Sequence, residues 1–366
     1  MVEWKKLGDV CTFNRGRTIT AKNAVEGSIP VIAGGQTPSY YHNEANRTGE
    51  SITVAGSGAY AGFVAYWNQP IFVSDAFTVD PLENLLHKYV YHFLKKNQQR
   101  VFETQKGAGV PHVHGKDIAG FIIPVPSLSE QQRIVGILDM FTASIENLKE
   151  QIALRRKQYE YYRDQLLDLE GKEGVEMKTL GDTCVIKNGY TPSTKNADFW
   201  ENGTIPWFTL EDIRKNGRIL TDAIKHITPL GVKSGGLFPS NSIIVSTTAT
   251  IGEYALTKTD FLCNQQITCL SIKDNFKEQL SPKFLYYLSA GIGKWCKKNV
   301  NGGGSLQIVS TNKLKSLSIP VPSIHEQSRI VSILDTFEAS IANLEAQLKL
   351  REKQYEYYRN KLLTFE

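Results

Sequence analysis

Two histidines one residue apart, His112 and His114, and two cysteines six apart, Cys263 and Cys269, are the side chains of this sequence best suited by type to hold a metal. Neither pair has the partners that such a site needs. Two His at i and i+2 without a third ligand nearby are loop residues making hydrogen bonds, and the cysteines have neither a CxxC partner nor a His cluster beside them. Gly56-Ser57-Gly58 and Gly302-Gly303-Gly304 could approach phosphates, yet neither follows a strand and opens a helix as a dinucleotide fingerprint must. No Gly-x-x-x-x-Gly-Lys-Ser/Thr occurs, and no Asn-Pro-Pro-aromatic stretch of the kind that grips a flipped base. The chain is therefore expected to be non-catalytic and to hold no metal and no cofactor.

What remains are loops of small, polar and aromatic residues. Such loops can be plain surface connections, but their residue types also suit nucleic acid. Glycine lets backbone amides reach phosphates, while Lys, Gln, Asn, Ser and Thr contact phosphates and base edges. In the first half of the chain the candidates for contact with nucleic acid are Gln36, Ser57, Tyr60, Lys106, Gly107, His112, His114 and Lys116. In the second half they are Lys195, Trp207, Lys233, Thr247, Thr248, Thr250, Gln265 and Gln266, followed by Asn301, Gly303, Ser305 and Gln307. The net charge is only +5, but it is unevenly spread. Lys plus Arg against Asp plus Glu is 12 to 10 over residues 1–127, 6 to 8 over 128–170, 18 to 12 over 171–322 and 6 to 7 over 323–366. A polyanion is thus expected on the segments 1–127 and 171–322. A coiled-coil scaffold presenting two small domains to proteins is the competing reading, and the lysine excess in 171–322 does not favour it.

The elements that must position these loops are set by an internal repeat. Ile123 to Leu167 returns as Ile319 to Leu363 at a constant offset of 196, with 31 of 45 positions identical. The first copy carries a seam of Ile134, Leu138, Phe141, Ile145, Leu148, Ile152 and Arg155; the second carries Ile330, Leu334, Phe337, Ile341, Leu344, Leu348 and Arg351. Spacings alternating between 4 and 3 are the coiled-coil period, and a helix of about 37 residues is roughly 55 Å long. Its stripe is expected to be buried against the other copy. Arg155 and Arg351 would snorkel to solvent or pair with an acidic group across that seam. Ile-Pro-Val-Pro-Ser precedes each helix, with Ser127 and Ser323 as caps and Glu130 and Glu326 completing capping boxes.

Each middle segment reads as a mixed α/β domain: strands Ser51–Ala55, Gly62–Tyr66 and Ile71–Val79 with a helix Leu86–Lys96, and strands Ser242–Ser246, Glu253–Thr257 and Phe261–Ile272 with a helix near Pro282–Leu288. The openings Leu7-Gly8-Asp9 and Leu180-Gly181-Asp182 match at an offset of 173, as do Cys11 with Cys184, which reads as a pair of buried core residues, and Gly16 with Gly189. The fold class is α+β. We expect domain 1 over 1–127, a long helix over 128–170, a glycine-rich linker over 171–176, domain 2 over 177–322 and a second long helix over 323–366. With no apolar run near 18 residues, no leader pattern and no paired cysteines, a cytoplasmic location is expected.

On the repeated Ile-Pro-Val-Pro-Ser, Glu-Gln-x-Arg-Ile-Val-x-Ile-Leu-Asp and Lys-Gln-Tyr-Glu-Tyr-Tyr-Arg-x-x-Leu-Leu motifs, with the Leu-Gly-Asp openings and the Thr248-Ala249-Thr250-Ile251-Gly252 turn, the chain resembles the specificity subunits of type I restriction-modification systems. The resemblance spans the whole chain and is most specific in the repeats. It implies two target-recognition domains, each reading half of a bipartite site in double-stranded DNA and held apart by the two helices, which pack as an antiparallel coiled coil. It also implies two docked methyltransferase subunits that bring S-adenosylmethionine and base flipping, with motor-nuclease subunits able to join. A specificity subunit serving a fused methylase-nuclease of another type is the alternative.

Overall fold

The computed structural model describes residues 2–301 and 307–365, and forms two compact units. The first comprises residues 1–152 with 343–366, the second residues 153–342. Each long helix is divided between the two units. Each unit holds one domain, the start of its own long helix and the end of the other.

In the first unit, strand Glu3–Lys6 pairs antiparallel with Ile122–Val125, Trp4 opposite Pro124, and this ribbon hands the chain to the helix. A four-stranded sheet follows the order Cys11–Arg15, Ala76–Pro81, Glu50–Ala55, Val64–Asn68, and a smaller one the order Tyr40–His42, Ile29–Ile32, Phe72–Val73. The single strand expected over Ile71–Val79 is two strands in two sheets. The step between them is made by Ser74 and Asp75, whose backbone bonds go to Ile32 and Gly56 instead of to one ladder. Helix His87–Lys96 covers the larger sheet and buries Tyr89, Val90, Phe93 and Leu94.

The second unit repeats this plan. Glu176–Thr179 pairs with Ser318–Val321. A five-stranded sheet runs Cys184–Asn188, Ile267–Ile272, Ile243–Ser246, Tyr254–Thr257, Ile219–Leu220, and a three-stranded one His226–Ile227, Ile205–Phe208, Leu262–Cys263. The covering helix runs over Pro282–Lys298, ten residues beyond its expected end. Gly16 and Gly189 hold matching places for one reason: a Cβ would lie 2.3 Å from Ser74 O in the first case and 2.1 Å from Cys263 O in the second. Cys11 and Cys184 are buried core residues.

The long helices are Leu128–Leu167 and Ile324–Leu362. Where they meet inside the first unit they run antiparallel, with Phe141 stacked on Tyr358 at 5.2 Å. Inside the second unit the matching pair is Phe337 and Tyr162, at 5.5 Å. The seam arginines stay half-exposed and pack on rings of the other helix. Arg351 lies over the Phe141 ring at 5.7 Å and Arg155 over Phe337 at 5.9 Å, so each guanidinium sits on an aromatic face instead of a carboxylate. Ile134, Leu138, Ile330 and Leu334 are fully buried, but as part of the cores that fasten each helix start to its own domain, not as helix-pairing residues alone. Ile145, Leu148 and Ile152 are buried, while Ile341, Leu344 and Leu348 are half-buried.

Candidate nucleic-acid interface and its frame

Four loops of the first domain meet at one edge, joined by main-chain bonds. Ser74 N donates to Ile32 O at 2.7 Å, Gly56 N to Asp75 O, Gly58 N to Pro111 O and Val113 N to Gly56 O, each at 3.0 Å. A Cβ on Gly34 would lie 2.3 Å from Ser57 O, so the 33–36 turn packs directly on the 56–58 turn. Ser57, His112, His114 and Lys116 are thereby brought round a cavity of 490 Å³ that also takes in Phe13, Arg15, Asp75 and Phe77. The His112 and His114 rings lie parallel at 6.3 Å. Among the described residues no group of three His, Cys, Asp or Glu side chains could hold a metal.

Gln36 and Tyr60 are exposed on the same loops. Lys106 is exposed but tied to Asp117. Despite the opposing effect of burial, Lys106 and the His114 N–H hold that carboxyl below its usual range. Gly107 has φ 115° and lies against Val110 O, so glycine there serves the turn. Arg15 and Asp75 escaped the sequence reading. Asp75 had been absorbed into the apolar run 71–79, and nothing in its spacing marks it.

The second domain has the same joints: Asn264 N to Phe208 O at 3.1 Å, Thr247 N to Gln266 O at 3.0 Å and Val309 N to Thr247 O at 2.9 Å. Thr248 and Thr250 lie on the turn, either side of Ala249 with its left-handed φ of 64°. Gln266 is half-buried, and the exposed Gln265 accepts from Thr191 Oγ1 at 2.5 Å. Asn301 pairs with Ile308 across a bridge, and Gln307 is exposed. Gly303 and Ser305 lie outside the described residues. Lys195 is exposed, and the Lys233 ammonium rests on the Tyr190 ring at 4.5 Å.

Two candidates are corrected by burial. Trp207 is 6% exposed, edge-on to Trp200 at 5.0 Å, and its Nε1 donates to Tyr190 O, so it is a core residue without a free face. Thr247 is 3% exposed and spends its hydroxyl on Thr268 Oγ1.

Behind these edges, the repeated motif locks each helix to its domain. Gln131 is fully buried; its Oε1 accepts from Leu86 N at 3.0 Å, and its Nε2 donates to Asn84 O at 2.8 Å and Pro126 O at 3.0 Å. Gln327 does the same with Ser281 N, Gln279 O and Pro322 O, at 2.8, 2.6 and 2.9 Å. Ser127 and Ser323 accept from Glu130 N and Glu326 N as expected of caps. The reciprocal half of each capping box is not made, because Glu130 and Glu326 turn to Arg133 and Arg329.

About two turns further on, the two copies diverge in chemistry. Asp335 accepts from the Tyr287 hydroxyl and pairs with Lys283 at 3.0 Å. Asp139, its counterpart, pairs with Lys88 and lies 3.2 Å from His92 Nε2, while His92 Nδ1 faces Tyr355 OH at 3.1 Å. Burial lowers the pKa of His92, with Lys88 and Arg359 adding to it, and the opposing pull of Asp139 does not restore the ordinary value. His92 therefore takes up its proton less readily when folded than when unfolded. Stability of the first unit is therefore expected to fall as pH drops below about 6.5, by at most about 1.4 kcal/mol per pH unit. Melting curves of the wild type and His92→Gln at about pH 7 and about pH 5.5 check this: the variant should lose less of its melting temperature on acidification, and an equal loss would refute the assignment to His92.

A family model described as the type I restriction modification DNA specificity domain matches residues 1–155 and again 172–351. The EcoR124I/EcoR124II specificity subunit of Escherichia coli is 35% identical over 400 aligned positions, which take in 100% of this chain and 94% of that one. The EcoprrI specificity subunit of the same organism is 44% identical over 215 positions, 56% of this chain and 53% of that one, so the match spans about half of that relative. The crystal structure of the type I S subunit from M. genitalium covers 100% of this chain and 97% of its own with a TM-score of 0.64 at 17% identity, and has the same fold. With two matches to the family model covering most of its length, the chain belongs to the family of DNA specificity subunits of type I restriction-modification systems.

Proposed function

We propose that each unit reads one half of a bipartite, asymmetric DNA site, and that the duplicated helix frame docks two methyltransferase subunits, which bring S-adenosylmethionine and the base-flipping chemistry. Motor-nuclease subunits can join the same assembly, and the complex works in the cytoplasm. No helix among the described residues is long and apolar enough to cross a membrane. The observation that carries the reading is the contrast between frame and edge. The frame repeats down to its buried glutamines, as two copies of one partner require, while the reading edges keep the same joints and change their side chains, as two different half-sites require.

The test is to exchange residues 177–318 for those of a relative and sequence the methylated positions in DNA from cells that also carry the partner subunits. One half-site is expected to change while the other stays. A change in both, or in neither, would overturn the modular assignment.

A further inference from the structure

The backbone joints make the two reading edges comparable residue by residue where the sequences are not. Gly16 N donates to Ala76 O, and Gly189 N to Ile267 O, both at 2.9 Å. Ser74 N to Ile32 O corresponds to Asn264 N to Phe208 O, and Gly56 N to Asp75 O corresponds to Thr247 N to Gln266 O. Between these joints, Asp75 and Gln266 occupy one and the same place. Each is the last residue before the strand that returns through the larger sheet, and its carbonyl receives the first N–H of the reading turn. The approach is one residue longer in the second domain, 264–266 against 74–75, so an ungapped comparison does not align them. One position carries a carboxylate, the other a carboxamide.

We propose that Asp75 and Gln266 are specificity-determining residues, Asp75 reading a cytosine in the half-site of the first unit and Gln266 an adenine in the half-site of the second. This rests on the DNA-reading function proposed above. A carboxylate only accepts hydrogen bonds. In the major groove guanine offers it two acceptors, thymine an acceptor and a methyl group, and adenine an acceptor beside its amino group, whereas cytosine presents the N4 amino donor alone. Asp75 is half-buried and forms no ion pair among the described residues. Ser57 Oγ donates to its Oδ2, which fixes the carboxylate and leaves Oδ1 to face a base. Arg15 and Lys116, on the same cavity, supply the positive charge that flanking phosphates need. A glutamine has a donor and an acceptor side by side, the complement of adenine N7 and N6. Gln266 Oε1 has one contact, from Asn264 Nδ2 at 3.3 Å, and Nε2 makes no hydrogen bond among the described residues.

The experiment uses the full chain expressed with its methyltransferase partner and reads methylation rates on duplexes in which each half-site position is varied in turn. Asp75→Asn, which still accepts from Ser57, is expected to erase a preference of roughly 5- to 150-fold for cytosine at one position of one half-site and to leave the other half-site intact. Gln266→Glu is expected to lower the preference for adenine in the other half-site by a similar factor. Asp75→Glu keeps a group that only accepts hydrogen bonds and should keep part of the cytosine preference that Asp75→Asn erases. Unchanged preferences in both substituted positions would overturn the proposal, as would equal relaxation by Asp75→Glu and Asp75→Asn, which would assign the effect to the turn instead of the carboxylate. Failure of the unsubstituted chain to direct methylation to any bipartite motif is a different outcome, and it would overturn the DNA-reading function itself.

Discussion

Gln131→Leu is expected to lower the unfolding free energy of the first unit by about 3 kcal/mol, and Gln327→Leu that of the second by about as much. Leucine nearly matches glutamine in volume, so the loss comes from polarity and not from a cavity. Each substitution takes the partner from one N–H and two carbonyls: Leu86 N, Asn84 O and the buried Pro126 O in the first unit, and Ser281 N, Gln279 O and the buried Pro322 O in the second. An unpaired buried group costs roughly 1–3 kcal/mol, and a carbonyl that keeps part of its solvation costs less than an N–H. Urea unfolding of the single variants measures the effect. A loss below about 1 kcal/mol would mean that water replaces the amide and that the glutamine is not what holds helix to domain.

The second large effect is expected on DNA. The first long helix passes from one unit to the other at Ile152 and Ala153, the second at Ala342 and Asn343. Inserting seven residues at both points preserves the 3.5-residue seam and adds about 10 Å to each rod. If the rods set the distance between the two readers, the methylated motif should keep both half-sites and gain up to about three base pairs between them, at roughly 3.4 Å per step. An unchanged gap, with methylation retained, would refute the helices as a ruler.

The helices were legible in the sequence because a heptad seam is a local pattern, and the duplication displays it twice. The sheets were legible as strands, but their division was not. The run 71–79 is apolar almost throughout, and only the bonds of Ser74 and Asp75 to distant strands show that it turns from one sheet to another. The same blindness hid Asp75 as a candidate reader. Gln131 and Gln327 stood inside the motifs, yet three of their four domain contacts lie 46 to 48 residues upstream in segments that share little sequence, so their role depended on tertiary placement. Trp207 misled for the opposite reason. An aromatic beside a polar loop suits base stacking by type, and only its burial, with Trp200 edge-on to it, shows that no face is free. The seam arginines belong to the same class, since periodicity fixed their place on the helix but not the phenylalanine that each would meet.

The reading edges are held together by main-chain donors and acceptors, with Ser74, Gly56, Gly58 and Val113 serving in one domain and Asn264, Thr247 and Val309 in the other. A joint made by peptide groups is indifferent to most side chains that flank it. The edge can therefore accumulate substitutions, one contact at a time, without passing through an unfolded intermediate sequence. If the partner subunits meet the duplicated frame, as proposed above, a substitution at the edge changes the DNA motif without changing the surface on which they dock.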